Sequence, residues 1–339
     1  MGPPNLSLGH EDQRNSLPTR RDCLRRSAGL GLAVGLSGFA TAIASDQPAS
    51  PATQAARKLK ICLSPGMLGI RANMKDLIEL ASRFGFEAIE PSSAELMSMS
   101  DDAIARLRDE IKAKGLVVGA VNTNMPIGQG DEEFKALIGR LPDMAAALQK
   151  IGTTRAGTYI MSGDQRLTYL ENFRRHAAHV GEVAKVLADH GMRFGLEYLG
   201  PKTIRGRMRF PFIHTMKEMR ELIAAVGAPN VGLTLDSWHW YTAGDTAADI
   251  RALRNEDVVA VHLNDAPAGI PVDQQVDSHR ALPATTGVID IGGFLGALIA
   301  IGYDGPVAAE PFDAQLRRLP REEAVKRTID AIHKALDRV

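Results

Sequence analysis

The stretch Val231-Gly232-Leu233-Thr234-Leu235-Asp236 is a short apolar run that ends in one carboxylate, and the fold can be predicted from it. Longer segments with apolar residues at helical spacing, such as Met74 to Phe84 and Arg166 to His190, separate it from similar runs. This alternation of strand and helix patterns predicts βαβ units. The seven further runs are Leu59 to Ser64, Ala88 to Pro91, Val117 to Asn122, Arg155 to Ile160, Arg193 to Tyr198, Val258 to Leu263 and Pro306 to Glu310.

The eight runs favour a closed barrel over an open sheet. They lack clean polar alternation, as expected of parallel strands buried between outer helices and a packed barrel interior. No G-x-G-x-x-G turn follows the first run, so an open doubly wound sheet of the dinucleotide-binding kind loses its main signal. We therefore predict an α/β fold, a (β/α)8 TIM barrel.

The amino-acid composition excludes several classes of function. Of 339 residues, 45% are hydrophobic and 24% charged, which is typical of a globular protein that buries a sizeable core. Lys and Arg number 40 and Asp and Glu also number 40, so no overall field attracts nucleic acid or an anionic membrane. The charge balance therefore argues against a protein that binds phosphate backbones.

The N-terminus has the layout of an export signal. Thr19-Arg20-Arg21-Asp22-Cys23-Leu24-Arg25 precedes a weakly apolar run from Ala28 to Ile43. The paired arginines resemble a twin-arginine signal, although that pattern prefers Phe at the position of Cys23. We expect cleavage after Ala44, in the small-residue triplet 42–44, and a periplasmic or other extracytoplasmic location. The alternative is an uncleaved membrane anchor, but the run is short and broken by glycines.

The predicted domains follow from that boundary. Residues 1–44 form the signal, the Ser-, Pro- and Ala-containing segment 45–57 is a linker, and residues 58–339 form the barrel. Only Cys62 remains after cleavage, so no internal disulfide is expected.

Four successive late runs end in a residue that could bind a metal. Polar side chains at the carboxyl ends of barrel strands converge on one face. Three carboxylates and an imidazole gathered there need a counter-charge, which a divalent cation supplies. Hard oxygen ligands with one nitrogen suit Mn²⁺, which we expect first, with Mg²⁺, Co²⁺ or Zn²⁺ as alternatives. The predicted ligands are Glu197, Asp236, His262 and Glu310.

These residues and their neighbours resemble the sugar phosphate isomerase/epimerase superfamily, built on the xylose isomerase-like barrel. The similar segments are Leu196-Glu197-Tyr198, Leu235-Asp236-Ser237-Trp238-His239-Trp240, Val261-His262-Leu263-Asn264-Asp265 and Ala309-Glu310-Pro311. The resemblance covers roughly residues 58 to 335 and implies the fold and the metal site more strongly than the substrate.

The resemblance implies metal-assisted proton transfer on a ketose or keto-sugar through an enediolate. Glu197 and Glu310 are then the catalytic bases, one removing a proton and the other returning it. Return to the opposite face gives epimerisation, and return to a neighbouring carbon gives isomerisation. The same enediolate could expel a leaving group, so a keto-sugar or keto-glycoside lyase or dehydratase remains an alternative.

Substrate contacts are expected from five further residues. The resemblance places His239 on substrate hydroxyls, and Trp238 beside it is a candidate for stacking on a sugar. Arg280 is either a substrate ligand or a solvated loop charge. The strand-end residues Glu90 and Asn122 are candidates for hydrogen bonds to the sugar, with a structural carboxylate as the alternative for Glu90.

Two features narrow the activity further. Ketose 3-epimerases carry Arg six residues after the metal His and Glu six after the first metal Glu, where this chain has Ala268 and Thr203. That departure puts ketohexose 3-epimerase activity in question. The loop 202–209 carries three arginines and is either a lid over the site or a solvated loop.

Two other functions compete with a sugar isomerase. A nuclease for abasic DNA would need more histidines and a basic groove, so no nucleic-acid partner is expected. A non-catalytic sugar-binding barrel would not need the complete ligand set. We expect a small-molecule sugar substrate, no stable membrane insertion after cleavage, and a homo-oligomer as an open possibility.

Overall fold

A computed structural model describes residues 57–339. Its chain alternates short strands with helices, as the sequence predicts. The strands are β1 (Lys60–Leu63), β2 (Ala88–Ile89), β3 (Val117–Val118), β4 (Ala120–Asn122), β5 (Arg155–Ile160), β6 (Gly163–Asp164), β7 (Arg193–Tyr198), β8 (Phe210–Pro211), β9 (Val231–Asp236), β10 (Val258–Leu263) and β11 (Pro306–Ala309).

Nine strands form one parallel sheet in the order β3-β2-β1-β11-β10-β9-β7-β5-β4, which closes almost into a barrel. The pairing of the last strand with the first, Ile61 beside Val307, is what turns the sheet into a barrel. Strands β6 and β8 form a separate antiparallel pair outside it. The α/β barrel prediction is therefore confirmed.

The third predicted run is divided where the sequence suggested one strand. Strand β3 pairs with β2, and β4 pairs with β5, with Gly119 between them. A Cβ atom on Gly119 would lie 2.7 Å from Cys62 Sγ, so the backbone approaches the barrel interior too closely for any side chain. Eight predicted runs thus give nine barrel strands.

The helices cover the outside of the barrel. Helix α2 is representative: Asn73 caps its first turn by accepting the Asp76 N–H at 2.8 Å, and it ends at Gly85, whose φ is 80°. The helices are α1 (Pro65–Leu68), α2 (Met74–Phe84), α3 (Ser93–Leu96), α4 (Asp101–Ala113), α5 (Asp131–Ile138), α6 (Leu141–Ile151), α7 (Tyr169–Asp189), α8 (Lys202–Arg205), α9 (Met216–Val226), α10 (Ser237–Ala243), α11 (Ala247–Arg251), α12 (Ile291–Ala300) and α13 (Arg321–Leu336).

Small side chains fill the barrel interior below its mouth. On each strand run, the residue two positions before the mouth-facing residue shares its face of the sheet. Cys62, Ala88 and Ala308 form a small apolar cluster there, separate from the main core between barrel and helices. The remaining members of this small layer are Ala120, Gly157, Gly195, Thr234 and Ala260.

The predicted signal, 1–44, and residues 45–56 of the predicted linker lie outside the described residues. Arg57, the last linker residue, is described and forms an ion pair with Glu87 at 2.8 Å. Within residues 57–339, none of the helices has the length and apolar character needed to cross a bilayer.

Candidate active site

The four predicted metal ligands meet at the mouth of the barrel. One candidate ligand atom from each of Glu197, Asp236, His262 and Glu310 lies within 4.8 Å of the other three. His262 Nδ1 faces all three carboxylates, at 3.2 Å from Glu197 Oε1, 3.8 Å from Glu310 Oε2 and 3.9 Å from Asp236 Oδ2. We call these four residues the carboxylate cluster.

The spacing of the carboxylate cluster fits a divalent cation. Metal–oxygen bonds of about 2.1 Å place neighbouring octahedral ligands about 3 Å apart and opposite ones about 4.2 Å apart. The separations of 3.2 to 3.9 Å between the imidazole nitrogen and the carboxylate oxygens lie in that range. Because the four ligand atoms spread over up to 4.8 Å, the cluster would contract slightly around a cation.

Asp236 is fixed by its position at the junction of β9 and α10. Its Oδ1 accepts the backbone N–H of Trp238 at 2.6 Å, capping the helix, and the Asn264 amide donates to both of its oxygens at 2.9 and 3.0 Å. The same helix carries His239 towards the cavity one turn later. Asp236 thus ends the strand, caps the helix and contributes one carboxylate to the cluster.

Arg280 lies inside the site and is 5% exposed, which excludes the solvated-loop alternative. Its Nη1 donates to Asp236 Oδ2 and Glu310 Oε2, both at 2.9 Å, and its Nη2 donates to Asp277 Oδ1 at 2.8 Å. The guanidinium lies 4.5 Å from the Phe312 ring centroid, and Phe312 holds a φ of 41°. A non-glycine residue in that region is strained, and its ring covers the arginine.

Charge at the carboxylate cluster is only partly balanced. Burial raises the pKa of Glu310 to about 8, against the opposing effect of Arg280. Burial also opposes ionisation of Asp236, but Arg280, His239 and His262 lower its pKa to about 2. Burial disfavours the charged imidazole of His262, yet Glu197, Glu310 and Asp236 raise its pKa to about 10. At neutral pH, the protons on Glu310 and His262 therefore balance part of the negative charge of the cluster. A divalent cation could replace those protons.

The loop after β10 is held by Asp265, a carboxylate whose role the sequence analysis did not predict. Asp265 is fully buried and accepts the backbone N–H groups of Ala266, Thr286, Gly287 and Ile289 at 2.7 to 3.0 Å. Asp265 also pairs through its backbone with Ala281, next to Arg280. These bonds fix the loop, and with it the arginine, before any ligand arrives.

A cavity of about 710 Å³ opens above the cluster. Of the predicted substrate contacts, His239, Arg280, Glu90 and Asn122 line it, together with Glu197 and Glu310. His239 Nδ1 accepts the Gly200 N–H at 3.3 Å, and its Nε2 lies 3.3 Å from Arg280 Nη2 and 3.8 Å from Asp277 Oδ1. Thr203, Ile204 and Arg207 also line the cavity, so the loop 202–209 does reach the mouth.

Glu90 and Asn122 form the opposite wall. Glu90 Oε1 accepts the Asn122 N–H at 3.0 Å, and its other oxygen bonds the hydroxyl of Ser64. Asn122 Oδ1 accepts the Asn124 N–H at 2.9 Å. Glu90 therefore ties three strand ends together and makes no hydrogen bond or ion pair with the four members of the carboxylate cluster.

Trp238 is placed differently from the prediction. Its side chain is fully buried and does not line the cavity, and Arg280 lies over it at 5.5 Å. Trp238 is the second residue after the Asp236 cap and its side chain packs into the core, so its ring does not reach the cavity. Two other aromatic residues, Tyr159 and Phe312, line the cavity, and Tyr159 is 44% exposed and paired in register with Glu197.

Comparison with known proteins places this chain in a family. The model of the xylose isomerase-like TIM barrel family matches residues 78–335. The chain belongs to that family. This confirms the resemblance drawn from the segments around the four candidate ligands.

The chain is similar to curated enzymes of this kind. It is 22% identical over 271 residues to an inosose isomerase of Bacillus velezensis, covering 79% of this chain and 94% of that protein. It is 30% identical over 140 residues to a 3-dehydroshikimate dehydratase of Pseudomonas aeruginosa, covering 41% of this chain and 21% of that protein. Family and relatives together support an enzyme.

Solved structures share the fold. A xylose isomerase domain protein from Alicyclobacillus acidocaldarius has a TM-score of 0.71 and 28% identity, covering 83% of this chain and 99% of its own. The IOLI protein, crystallised with a bound zinc atom, has a TM-score of 0.70 and 21% identity, covering 82% and 98%. At 21% identity, this likeness shows that the two chains share a fold.

Proposed function

We propose that this protein is a divalent-metal-dependent isomerase or epimerase that moves a proton on a ketose or keto-sugar. The observation that carries the proposal is the convergence of three carboxylates and one imidazole, within 4.8 Å, at the base of a 710 Å³ cavity. The named activity of the inosose isomerase relative is of the same reaction class.

In this proposal Glu197, Asp236, His262 and Glu310 hold the cation. When bound, the cation supplies Lewis-acid polarisation of a carbonyl and lowers the barrier to removing the neighbouring proton. Mn²⁺ is our first expectation because three hard oxygens and one imidazole make up the donor set. Zn²⁺ is the main alternative, given the zinc bound in the similar IOLI structure.

The proton is moved by carboxylates of the chain itself. Glu197 and Glu310 both line the cavity, on strands separated in the barrel by β9 and β10. One of them removes the proton adjacent to the carbonyl and keeps it, and the other, protonated at the start of the step, gives its own proton to the resulting enediolate. Arg280, bonded to Glu310 at 2.9 Å, fixes the direction in which that carboxylate points.

A lyase is the second candidate. The 30% identity to a 3-dehydroshikimate dehydratase over 140 residues favours it, because dehydration also begins by removing a proton next to a carbonyl. The two reactions share every residue proposed above. They differ in whether the substrate carries a leaving group on the carbon beyond the one that loses the proton.

Deuterium exchange tests both proposals at once. The metal-loaded protein is incubated in D₂O with a panel of free ketoses and keto-sugars and followed by proton NMR. Loss of one C–H signal with a new sugar isomer indicates an isomerase, and a new alkene or unsaturated product indicates a lyase. Binding of metal and sugar with no exchange in any substrate would favour the non-catalytic sugar-binding barrel.

The cellular location is also a proposal. An N-terminal twin-arginine-like signal would place the mature chain outside the cytoplasm, where free sugars and glycosides are more available than sugar phosphates. We therefore expect the natural substrate to be a free sugar, keto-sugar or glycoside. Turnover of sugar phosphates alone would contradict that expectation about the substrate.

A further inference from the structure

A second cavity of about 370 Å³ lies beside the main one. Asn124, Tyr159 and Met161 line both, so the two spaces are neighbours along the mouth of the barrel. Tyr159 and Met161 are 44% and 37% exposed, respectively, which is high for residues of that size. The walls of the second cavity come from the loop after β4, from the strand pair β6–β8 and from α7.

Helix α7 presents two buried polar atoms without partners to this second cavity. The His176 side chain lines it and is 2% exposed, and its Nδ1 lies 2.8 Å from the Asn172 carbonyl oxygen. A carbonyl can only accept, so Nδ1 carries the proton and Nε2 is left as a bare acceptor. Burial lowers the pKa of His176 to about 4, so the ring stays neutral.

Neither acceptor is satisfied by residues 57–339. Within that range His176 Nε2 has no hydrogen-bond partner, and neither has Oδ1 of Asn172, a residue that is also 2% exposed and lines the same cavity. A buried polar group without a partner costs about 1–3 kcal/mol. Both atoms belong to side chains that line the second cavity, so a ligand that brings hydrogen-bond donors to this wall would satisfy them.

The remaining lining narrows the chemistry of that ligand. Asp164, Gln165 and Gln129 add polar side chains, while Tyr159 offers an exposed aromatic ring at the boundary with the main cavity. Hydroxyl groups satisfy the acceptors, and the apolar face of a ring packs against an aromatic side chain. A sugar ring combines both properties.

We propose that the second cavity is a sugar subsite, so that the substrate is a disaccharide or glycoside with a second hydroxyl-bearing ring. The proposal rests on the proposed function for the placement of the reacting ring beside the carboxylate cluster. The second ring lies past Tyr159, and its hydroxyls donate to His176 Nε2 and Asn172 Oδ1. The main cavity alone, at about 710 Å³, already exceeds what one sugar ring needs.

Gly128 offers a substitution that closes this subsite without touching the carboxylate cluster. A Cβ atom there would lie 3.4 Å from His176 Nε2, which is ordinary van der Waals contact, and Gly128 does not have a left-handed φ. Gly128→Ala should therefore fold normally and cover the acceptor. His176→Phe is a second variant, which removes the acceptor but keeps a flat ring against Phe212.

The test uses sugars that do not react. Binding of glucose, sucrose, trehalose and cellobiose to the metal-loaded full chain is measured by calorimetry, with the His176 Nε2 resonance followed by nitrogen NMR. We expect at least one disaccharide to bind about tenfold more tightly than glucose and to shift that resonance. Gly128→Ala and His176→Phe should each abolish the preference and leave glucose affinity within about twofold.

The proposal is overturned if no disaccharide binds more tightly than glucose, or if the preference survives in both variants. It is also overturned if a crystal of the disaccharide complex shows only water between Nε2 and Oδ1. Because these probes bind without turnover, the result is independent of the deuterium-exchange experiment. Failure of the subsite and failure of the proposed catalysis can therefore be told apart.

Discussion

The two halves of the barrel mouth have the same construction and different chemistry. Strands in both halves carry a small residue inside the barrel and a larger side chain two positions later at the mouth. In the C-terminal half these larger side chains are Glu197, Asp236, His262 and Glu310. In the N-terminal half they are Ser64, Glu90, Asn122 and Tyr159.

The comparison shows that charge is confined to one side. Three acids, an imidazole and the buried guanidinium of Arg280 face each other in the C-terminal half. Among the four mouth-facing residues of the N-terminal half, Glu90 is the single carboxylate, and it is already bonded to Ser64 and to the Asn122 backbone. One half is therefore suited to holding a cation and moving protons, and the other to shaping and orienting a hydroxylated substrate.

The largest expected effect is the difference in activity between substitutions of Glu310 and of Glu90. Glu310→Gln should lower kcat about 10³-fold or more, since it removes a metal ligand and a base. Glu90→Gln should lower kcat/KM only about 10-fold, because its amide keeps one acceptor oxygen. Both are measured as deuterium exchange into the best substrate. Equal losses of activity in the two variants would contradict the assignment of proton transfer to the C-terminal half and substrate orientation to the N-terminal half.

The pH dependence of metal affinity tests the charge balance in the C-terminal half. A cation must displace the protons of Glu310 and His262, whose pKa values are raised to about 8 and about 10. Affinity should therefore rise with pH, about 10- to 100-fold per unit from pH 6 to 8 and about 10-fold per unit above it.

Calorimetry in buffers of different ionisation enthalpy counts the protons released. Between one and two per ion are expected at pH 7. An affinity that no longer changes above pH 7, as for an ordinary histidine, would contradict this assignment.

The layer of small residues gives a matched pair of stability tests. A Cβ atom on Gly195, below Glu197, would lie 2.3 Å from Thr234 Oγ1, whereas one on Gly157, below Tyr159, would lie 3.1 Å from the same atom. Gly195→Ala should lower the free energy of unfolding by about 2 kcal/mol and Gly157→Ala by less than about 1 kcal/mol. Denaturant unfolding measures both. Adding Thr234→Ala should recover part of the larger loss, and no recovery would place the strain elsewhere.

The smallest effect is expected in the N-terminal half. Asn122→Ala removes a cavity-lining amide whose Oδ1 also accepts the Asn124 N–H at 2.9 Å. We expect KM to rise about threefold with kcat unchanged, because one binding contact is lost and the proton transfer is untouched. Steady-state kinetics would show this split. A fall in kcat with unchanged KM would instead make Asn122 part of the reaction.

Sequence alone predicted the parts of the site that follow the barrel's regularity. Each candidate ligand ends a strand run, so its position is set by the repeat of strand and helix rather than by long-range packing. The same logic located Glu90 and Asn122. It gave the wrong surroundings for Trp238, because the direction of a side chain just after a helix cap depends on packing that spacing does not encode.

Other parts of the site depend on contacts between distant segments. Arg280 reaches Asp236 from a loop without periodicity, and that loop is folded by four bonds to the Asp265 carboxylate. His176 and Asn172 stand on a long helix whose pattern is that of an ordinary amphipathic surface helix. The sequence pattern does not show which side of the helix lines a cavity. The roles proposed for His176 and Asn172 could therefore be inferred only from the structure.

The central claim is that the carboxylate cluster holds a divalent metal, and metal content tests it most directly. Purified residues 45–339 and their Asp236→Asn variant are loaded with Mn²⁺, Zn²⁺, Co²⁺ or Mg²⁺, desalted and measured by mass spectrometry of the elements. We predict roughly one ion per chain in the parent and a loss of at least about tenfold in occupancy in the variant. No bound metal in the parent after loading, or equal metal in both proteins, would contradict the account.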